Sequence, residues 1–380
     1  MSIKKPLAKT VLLFCVGIAL TGCFGKSNKK GPVAKPLPEV VSSMSVEQAW
    51  AIRIGDVNFP LVPKAIDGNK VALADGKGNV WMVDASTGSV LWQTSVGKGL
   101  TAGVGSDGDT TAVVTRDNDL VALDRQGGEI WRKRVTTQVL TPPLVAGGRI
   151  FLNTADRSIL AFDASNGAGL WRQQQNTAES LILRRDGVLD AYHNTLIIGM
   201  TSNLYGADPD TGAPQWGAPI GKPRGTNEVD RLADLVGGIA HNDDVFCACS
   251  YQSAVACVKE GGEVLWSKPS SCEFGVAVDY NSTYVVEADG RIYALDQNTG
   301  NTLWVNEQLR YRQLTGALVM GGRTLVIGDA DGNVHLLSRE DGSFLGRLRT
   351  NSSGIDVTPV AVGGNLIVVT KNGNVYGFRP

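Results

Sequence analysis

The chain ends on VYGFRP (375–380), an apolar strand with no successor, and EQAWAIRI (47–54) near its start is a Trp-bearing strand with no predecessor. Between them one pattern recurs: an apolar strand, a turn ending in Gly, then a second strand that usually carries Trp. VWMVDASTGSVLWQT (80–94), ILAFDASNGAGLWRQ (159–173) and IYALDQNTGNTLWVN (292–306) are its clearest copies. LVALDRQGGEIWRKR (120–134), LYGADPDTGAPQWGA (204–218), AVACVKEGGEVLWSK (254–268) and VHLLSREDGSFLGRL (334–348) are worn ones. An eighth copy split between the two termini describes a closed ring.

Turn dipeptides divide each repeat into four strands. In the unit ending at Trp171, TPPLVAG is strand a, IFLNTA strand b, ILAFDA strand c and GLWRQ strand d. The turns fall at Gly147-Gly148, Asp156-Arg157 and Ser165-Asn166-Gly167; elsewhere Asp-Gly, Asn-Gly and Gly-Gly take the corresponding places. Tight hairpins need positive φ, which Gly supplies freely and Asn or Asp at low cost. A lone four-stranded meander buries one face poorly, so neighbours stack and closure removes the ends. The expected fold is therefore all-β, an eight-bladed β-propeller of four-stranded antiparallel blades over residues 45–380, with the two termini sharing one blade. Its Trp residues are expected to be structural, each packing on the next blade and finding an acceptor for its indole N–H.

Residues 1–22 read as a signal peptide: Lys4, Lys5 and Lys9 precede a short apolar core, and Leu20-Thr21-Gly22-Cys23 ends it. That ending resembles the bacterial lipobox, which implies cleavage before Cys23 and acylation of that residue. Residue 24 is Phe rather than Asp, which by resemblance to enterobacterial lipoproteins implies the outer membrane. Several acyl chains anchor a protein stably where one does not. Residues 23–44, with four Lys and three Pro, read as a tether. Beyond residue 44 there are 29 basic residues against 36 acidic ones, a balance that argues against nucleic acid.

The repeat resembles the tryptophan-docking motif of the eight-bladed quinoprotein-type propellers, A-x-D-x-x-T-G-x-x-x-W. Family resemblance gives those dehydrogenases an adjacent cysteine pair, a calcium site and a catalytic Asp. This chain has no Cys-Cys pair. Its remaining cysteines, Cys247, Cys249, Cys257 and Cys272, lie in one blade, and their pairing stays open. With Tyr251 opposite Ala254, Cys257 faces away from Cys247 and Cys249, so a bond from Cys272 to Cys247 or Cys249 is better placed. Buried free thiols are the alternative, and a C-x-C with no His nearby is poor zinc spacing. His193, His241 and His335 belong to different blades, and no nucleophile triad or phosphate loop occurs. The chain therefore reads as no enzyme, with no catalytic, cofactor-binding or metal-binding residue. A quinoprotein-like enzyme and a ligand-sensing propeller stand as the competing readings.

Successive Trp spacings are longest from Trp171 to Trp216 and from Trp216 to Trp266, and both excesses fall in d–a connections. In a meander all such connections leave by one rim, so these two adjoin. The first holds Leu181, Ile182 and Leu183 followed by Arg184 and Arg185; the second holds Glu228, Asp230, Arg231 and Asp234. Apolar anchors beside forked cations and a polar rim suit a protein interface. Strand alternation offers a second reading for the leucines, burying Leu181 and Leu183 while leaving Ile182 and Arg184 outside.

Lipobox, tether, Trp blades and the two connections together resemble the BamB family of outer-membrane β-barrel assembly lipoproteins. That family carries SLSLRGE where this chain has SLILRRD (180–186), and EIDRLSDVD where it has EVDRLADLV (228–236). The resemblance implies a scaffold of the β-barrel assembly machinery, lipid-anchored at the outer membrane and facing the periplasm. It would bind the periplasmic POTRA domains of BamA, alongside other components of that machinery and nascent outer-membrane proteins. Leu181, Leu183, Arg184 and Asp234 match family contact positions, whereas the last family aspartate is Val236 here.

Overall fold

Eight four-stranded antiparallel sheets, each ordered as a meander, make up the chain in the computed structural model. It describes residues 1–2, 32–57, 61–174, 181–224, 226–229, 231–243 and 245–379. Seven blades are continuous: 64–95, 105–134, 144–174, 189–219, 235–269, 277–306 and 318–349. The eighth takes strands a to c from Val360–Val362, Asn365–Val369 and Asn374–Arg379, and its strand d from Glu47–Arg53. Trp50 lies opposite Gly377 and Ala51 opposite Tyr376, so the termini close the ring by backbone pairing.

Strands b and c are almost wholly buried while strands d face solvent, so the apolar core lies between blades and not within one. Each Trp of a strand d docks on the following blade. Trp131 donates its indole N–H to Ala164 O at 2.8 Å, Trp171 to Pro209 O at 3.0 Å and Trp266 to Gln297 O at 2.7 Å. The ring lies on the turn glycine of that blade. At Gly167 an added Cβ would come within 2.8 Å of the Trp131 ring, and φ is +73°, so both the contact and the backbone require Gly.

Blade 7 has Leu345 in place of Trp, and the closure explains why. Blade 8 has no c–d turn, since its strand c ends the chain and its strand d begins the ring, so a Trp there would have no turn to dock on. Leu345 is covered instead by the N-terminal segment: Ser43 N–H donates to Leu345 O at 2.8 Å, and Met44 and Val46 pack on the same cluster.

That segment is bound well before the ring starts. Arg312 donates to Lys35 O, Arg347 donates to Pro38 O at 3.1 Å, and Leu37 packs against blade 7. The stretch expected to be a tether is thus held on the ring from Lys35 onward, while Cys23 and most of the signal segment lie outside the described residues. Both arginines belong to a buried group around His335, whose Nε2 faces Asp329 Oδ2 at 3.0 Å and whose Nδ1 accepts from Arg347 Nε at 3.4 Å. Burial holds His335 below its ordinary value against the pull of Asp329. Asp329 stays below the usual carboxylate range, because hydrogen bonds from His335 and Asn333 outweigh its burial. Both signs agree: a His with depressed pKa and an Asp with depressed pKa each lose stability as pH falls. We expect the chemical-denaturation midpoint to drop between pH 7.5 and 5.5, with deuterium exchange of 35–44 rising over the same window. A His335→Gln variant is expected to flatten that dependence; an equally steep profile in the variant would place the titration elsewhere.

The cysteine hairpin differs from its expected register. Ser250 pairs with Ala254 across a three-residue loop, with Gln252 at φ +46°, so Cys247 lies directly opposite Cys257. Sliding a pairing by one residue turns every side chain to the other face. Cys257 therefore faces Cys247 and bonds to it, and Cys249 bonds to Cys272. The expectation that Cys257 faces away is corrected; a Cys249–Cys272 bond was among those expected.

Candidate partner-binding site

The two enlarged connections meet at a single buried carboxylate. Asp234 Oδ1 receives Arg157 Nη1 at 2.8 Å, and its Oδ2 receives the backbone N–H of Leu183 at 2.9 Å. Arg157 Nη2 donates to Leu181 O at 2.8 Å. One Asp from the second connection and one Arg from the b–c turn of blade 3 thus grip the first connection through its backbone. The Arg157 and Asp234 side chains are 9% and 11% exposed, so water screens this pair little.

Arg157 takes this position at a conformational cost. Its φ is +61°, in the slot where other blades place Gly78, Asn118, Gly290, Gly332 or Gly373. A non-Gly residue held there costs on the order of 1 kcal/mol, offset here by the two charge-assisted hydrogen bonds of the guanidinium. Sequence reasoning marked the Asp156-Arg157 turn without assigning its Arg a role; an Arg where the repeat elsewhere prefers Gly or Asn was the available signal.

Around this clamp the expected residues divide. Leu181 is exposed and Arg184 is exposed without an ion pair among the described residues, whereas Leu183 is half-buried against the cluster that contains both disulfides. Strand a begins only at Leu189, so residues 181–183 do not follow strand alternation: Leu181 points out and Ile182 is half-buried. Arg185, which sequence reasoning left without a role, turns inward. It donates to Glu273 O at 3.1 Å and Oε2 at 2.9 Å, with its guanidinium over Tyr251 and Phe274. This ties the platform to the connection between blades 5 and 6.

In the second connection Glu228, Val229 and Arg231 are exposed on a turn closed by Arg231 N–H to Asn227 O. Asp230 lies outside the described residues. Asp234 is buried and acts within the fold as the clamp, and Val236 is 1% exposed in the apolar cluster. The surface these parts present is an apolar and cationic rim with acidic neighbours, fixed to blades 3, 4 and 5. Among the described residues no three His, Cys, Asp or Glu side chains converge as metal ligands.

Comparison with known proteins bears on the same region. The family model described as outer membrane protein assembly factor BamB matches residues 76–260 and 254–379. The chain belongs to the BamB family. BamB of Burkholderia pseudomallei is 35% identical over 386 residues, covering 100% of both chains. That of Escherichia coli is 27% identical over 377 residues, with 94% of this chain and 95% of the relative covered. The crystal structure of BamB from Moraxella catarrhalis superposes with a TM-score of 0.79 at 26% identity, covering 88% of this chain and 100% of that one. Quinohemoprotein alcohol dehydrogenase from Comamonas testosteroni reaches a TM-score of 0.69 at 14% identity, over 88% of this chain and 76% of that one, a likeness of fold alone.

Proposed function

We propose that this chain is a non-enzymatic assembly factor for outer-membrane proteins, anchored through acylated Cys23 to the outer membrane and facing the periplasm. It docks the POTRA domains of BamA on the rim formed by 181–186, 226–229 and 231–234. Membership of the BamB family supports the assembly role, and two buried disulfides suit an oxidising compartment. The observation that carries the docking site is the Arg157–Asp234 clamp. It fixes two long connections to each other and leaves Leu181, Arg184 and Val229 outside. Rigid presentation of an apolar side chain beside an exposed guanidinium lowers the ordering cost of association. Leu181 and Arg184, with Glu228 and Arg231, form the contact, Asp230 is assigned to it from the sequence alone, and Leu183 and Asp234 hold it in place.

The test compares Leu181→Ala and Arg184→Ala with the wild type in capture of detergent-solubilised BamA. Arg184→Ala is expected to weaken binding by tenfold or more, as truncating an interface Arg does. Its unfolding midpoint should stay within about 0.5 kcal/mol of the wild type, as for surface substitutions. Undiminished capture by a folded double variant would refute this site.

A further inference from the structure

The axial channel opens on this same rim, and a carboxylate sits in its mouth without a hydrogen-bond donor. Two adjoining cavities, of about 120 and 200 Å³, share Val62, Asp186 and Gly237. Every blade contributes a residue from its d–a side to one or both, from Val62 leading into blade 1 to Val357 leading into blade 8. The Asp186 residue is 9% exposed, and its Oδ1 is buried with no partner among the described residues. An unpaired buried carboxylate oxygen forfeits its hydration without return. Arg185 beside it is engaged with Glu273 and attracts the Asp186 carboxylate by its charge. Val62, Phe274, Val276, Ala317 and Val357 give the smaller cavity an apolar side, facing Arg185, Asp186 and Glu273.

We propose that this mouth receives a lysine side chain of the docking partner, with Asp186 as counter-ion to its ammonium group. A cavity with an apolar side and carboxylates at Asp186 and Glu273 fits a four-carbon stem carrying a compact cation. Three N–H donors would satisfy Asp186 together with carbonyls at the mouth. The inference rests on the reading of this rim as the BamA-docking face, and it adds a central anchor to the peripheral Leu181 and Arg184 contacts. Burial pushes the Asp186 carboxyl well above the usual carboxylate range, with Arg185 pulling it back. The other ionisable groups lining the two cavities are Lys64, Asp190 and Glu273. A raised carboxyl pKa contributes stability at low pH that is lost as pH rises, so the empty site carries its largest penalty at high pH.

Asp186→Asn keeps the shape and removes the charge. Bound to purified, detergent-solubilised BamA at pH 8, it is expected to lose about ten- to a hundredfold in affinity. The loss should shrink as pH is lowered, because protonation of the wild-type carboxyl removes the charge that Asn lacks. The same variant alone should unfold at higher urea concentration than the wild type at pH 8. Lysine-to-alanine scanning of the POTRA domains should find one position whose effect disappears in Asp186→Asn. Wild-type affinity in Asp186→Asn while Arg184→Ala binds weakly would overturn this inference and leave the docking face standing. Unchanged binding in both would overturn the two together. A lower urea midpoint for Asp186→Asn would assign the carboxylate to the fold and likewise refute it.

Discussion

Asp234→Ala is expected to unfold about 3–5 kcal/mol more easily than the wild type, the cost of stranding one member of a buried ion pair. The substitution leaves the Arg157 guanidinium, 9% exposed, facing an apolar void. It also strips the acceptor from Leu183 N–H and loosens the hold on Leu181 O. Arg157→Ala strands the carboxylate instead and should lie in the same range, whereas Arg157→Gly should lose about 1 kcal/mol less, because only Gly relieves the left-handed backbone position. The pair is not worth that much as a pair. Replacing both partners, as in Arg157→Met with Asp234→Leu, should recover most of the loss, since desolvating two charges nearly cancels their attraction. Equilibrium urea unfolding of the four proteins closes a double-mutant cycle. A loss below 1 kcal/mol in Asp234→Ala would show that the clamp is hydrated and does not organise the rim. Deuterium exchange supplies the local reading: amides of 181–188 should lose protection in either single variant. BamA capture should fall with them although neither side chain is exposed enough to be a main contact.

Much of this molecule could be read from residues that act on near neighbours. The Trp strand, the turn Gly beneath the next ring and the Asp at the turn repeat because each blade solves the same docking problem. Even the split blade announced itself through an unpaired Trp strand at Glu47–Arg53. What escaped were contacts whose partners lie far along the chain or are plain backbone. Arg157 reaches Asp234 across 77 positions and Arg185 reaches Glu273 across 88, distances over which charge pattern alone names no partner. The segment from Lys35 is held largely by its carbonyls, which any sequence supplies, so composition suggested a tether. The Cys hairpin failed differently: its loop length of three residues in place of two depends on Gln252 accepting positive φ. One residue of error there reverses which cysteines share a face.

The second large effect concerns the bond from Cys249 to Cys272, which ties strand b of blade 5 to the connection entering blade 6. It closes 23 residues, whereas Cys247–Cys257 closes 10 within a hairpin whose backbone already pairs Cys247 with Cys257. The unfolded chain therefore loses more freedom to the first bond, about 3 kcal/mol in the chain-entropy account. Cys249→Ala/Cys272→Ala should lose that amount, and Cys247→Ala/Cys257→Ala distinctly less, by urea midpoint under oxidising conditions. The residue after Cys272 is Glu273, whose carboxylate and carbonyl hold Arg185. Freeing Cys272 should therefore also relax the inner edge of the docking rim, so BamA affinity should fall in the Cys249/Cys272 variant and not in the other. Equal losses of stability from the two variants would mean that loop length does not set the ranking. Unaltered BamA affinity in the first would detach the disulfide from the rim.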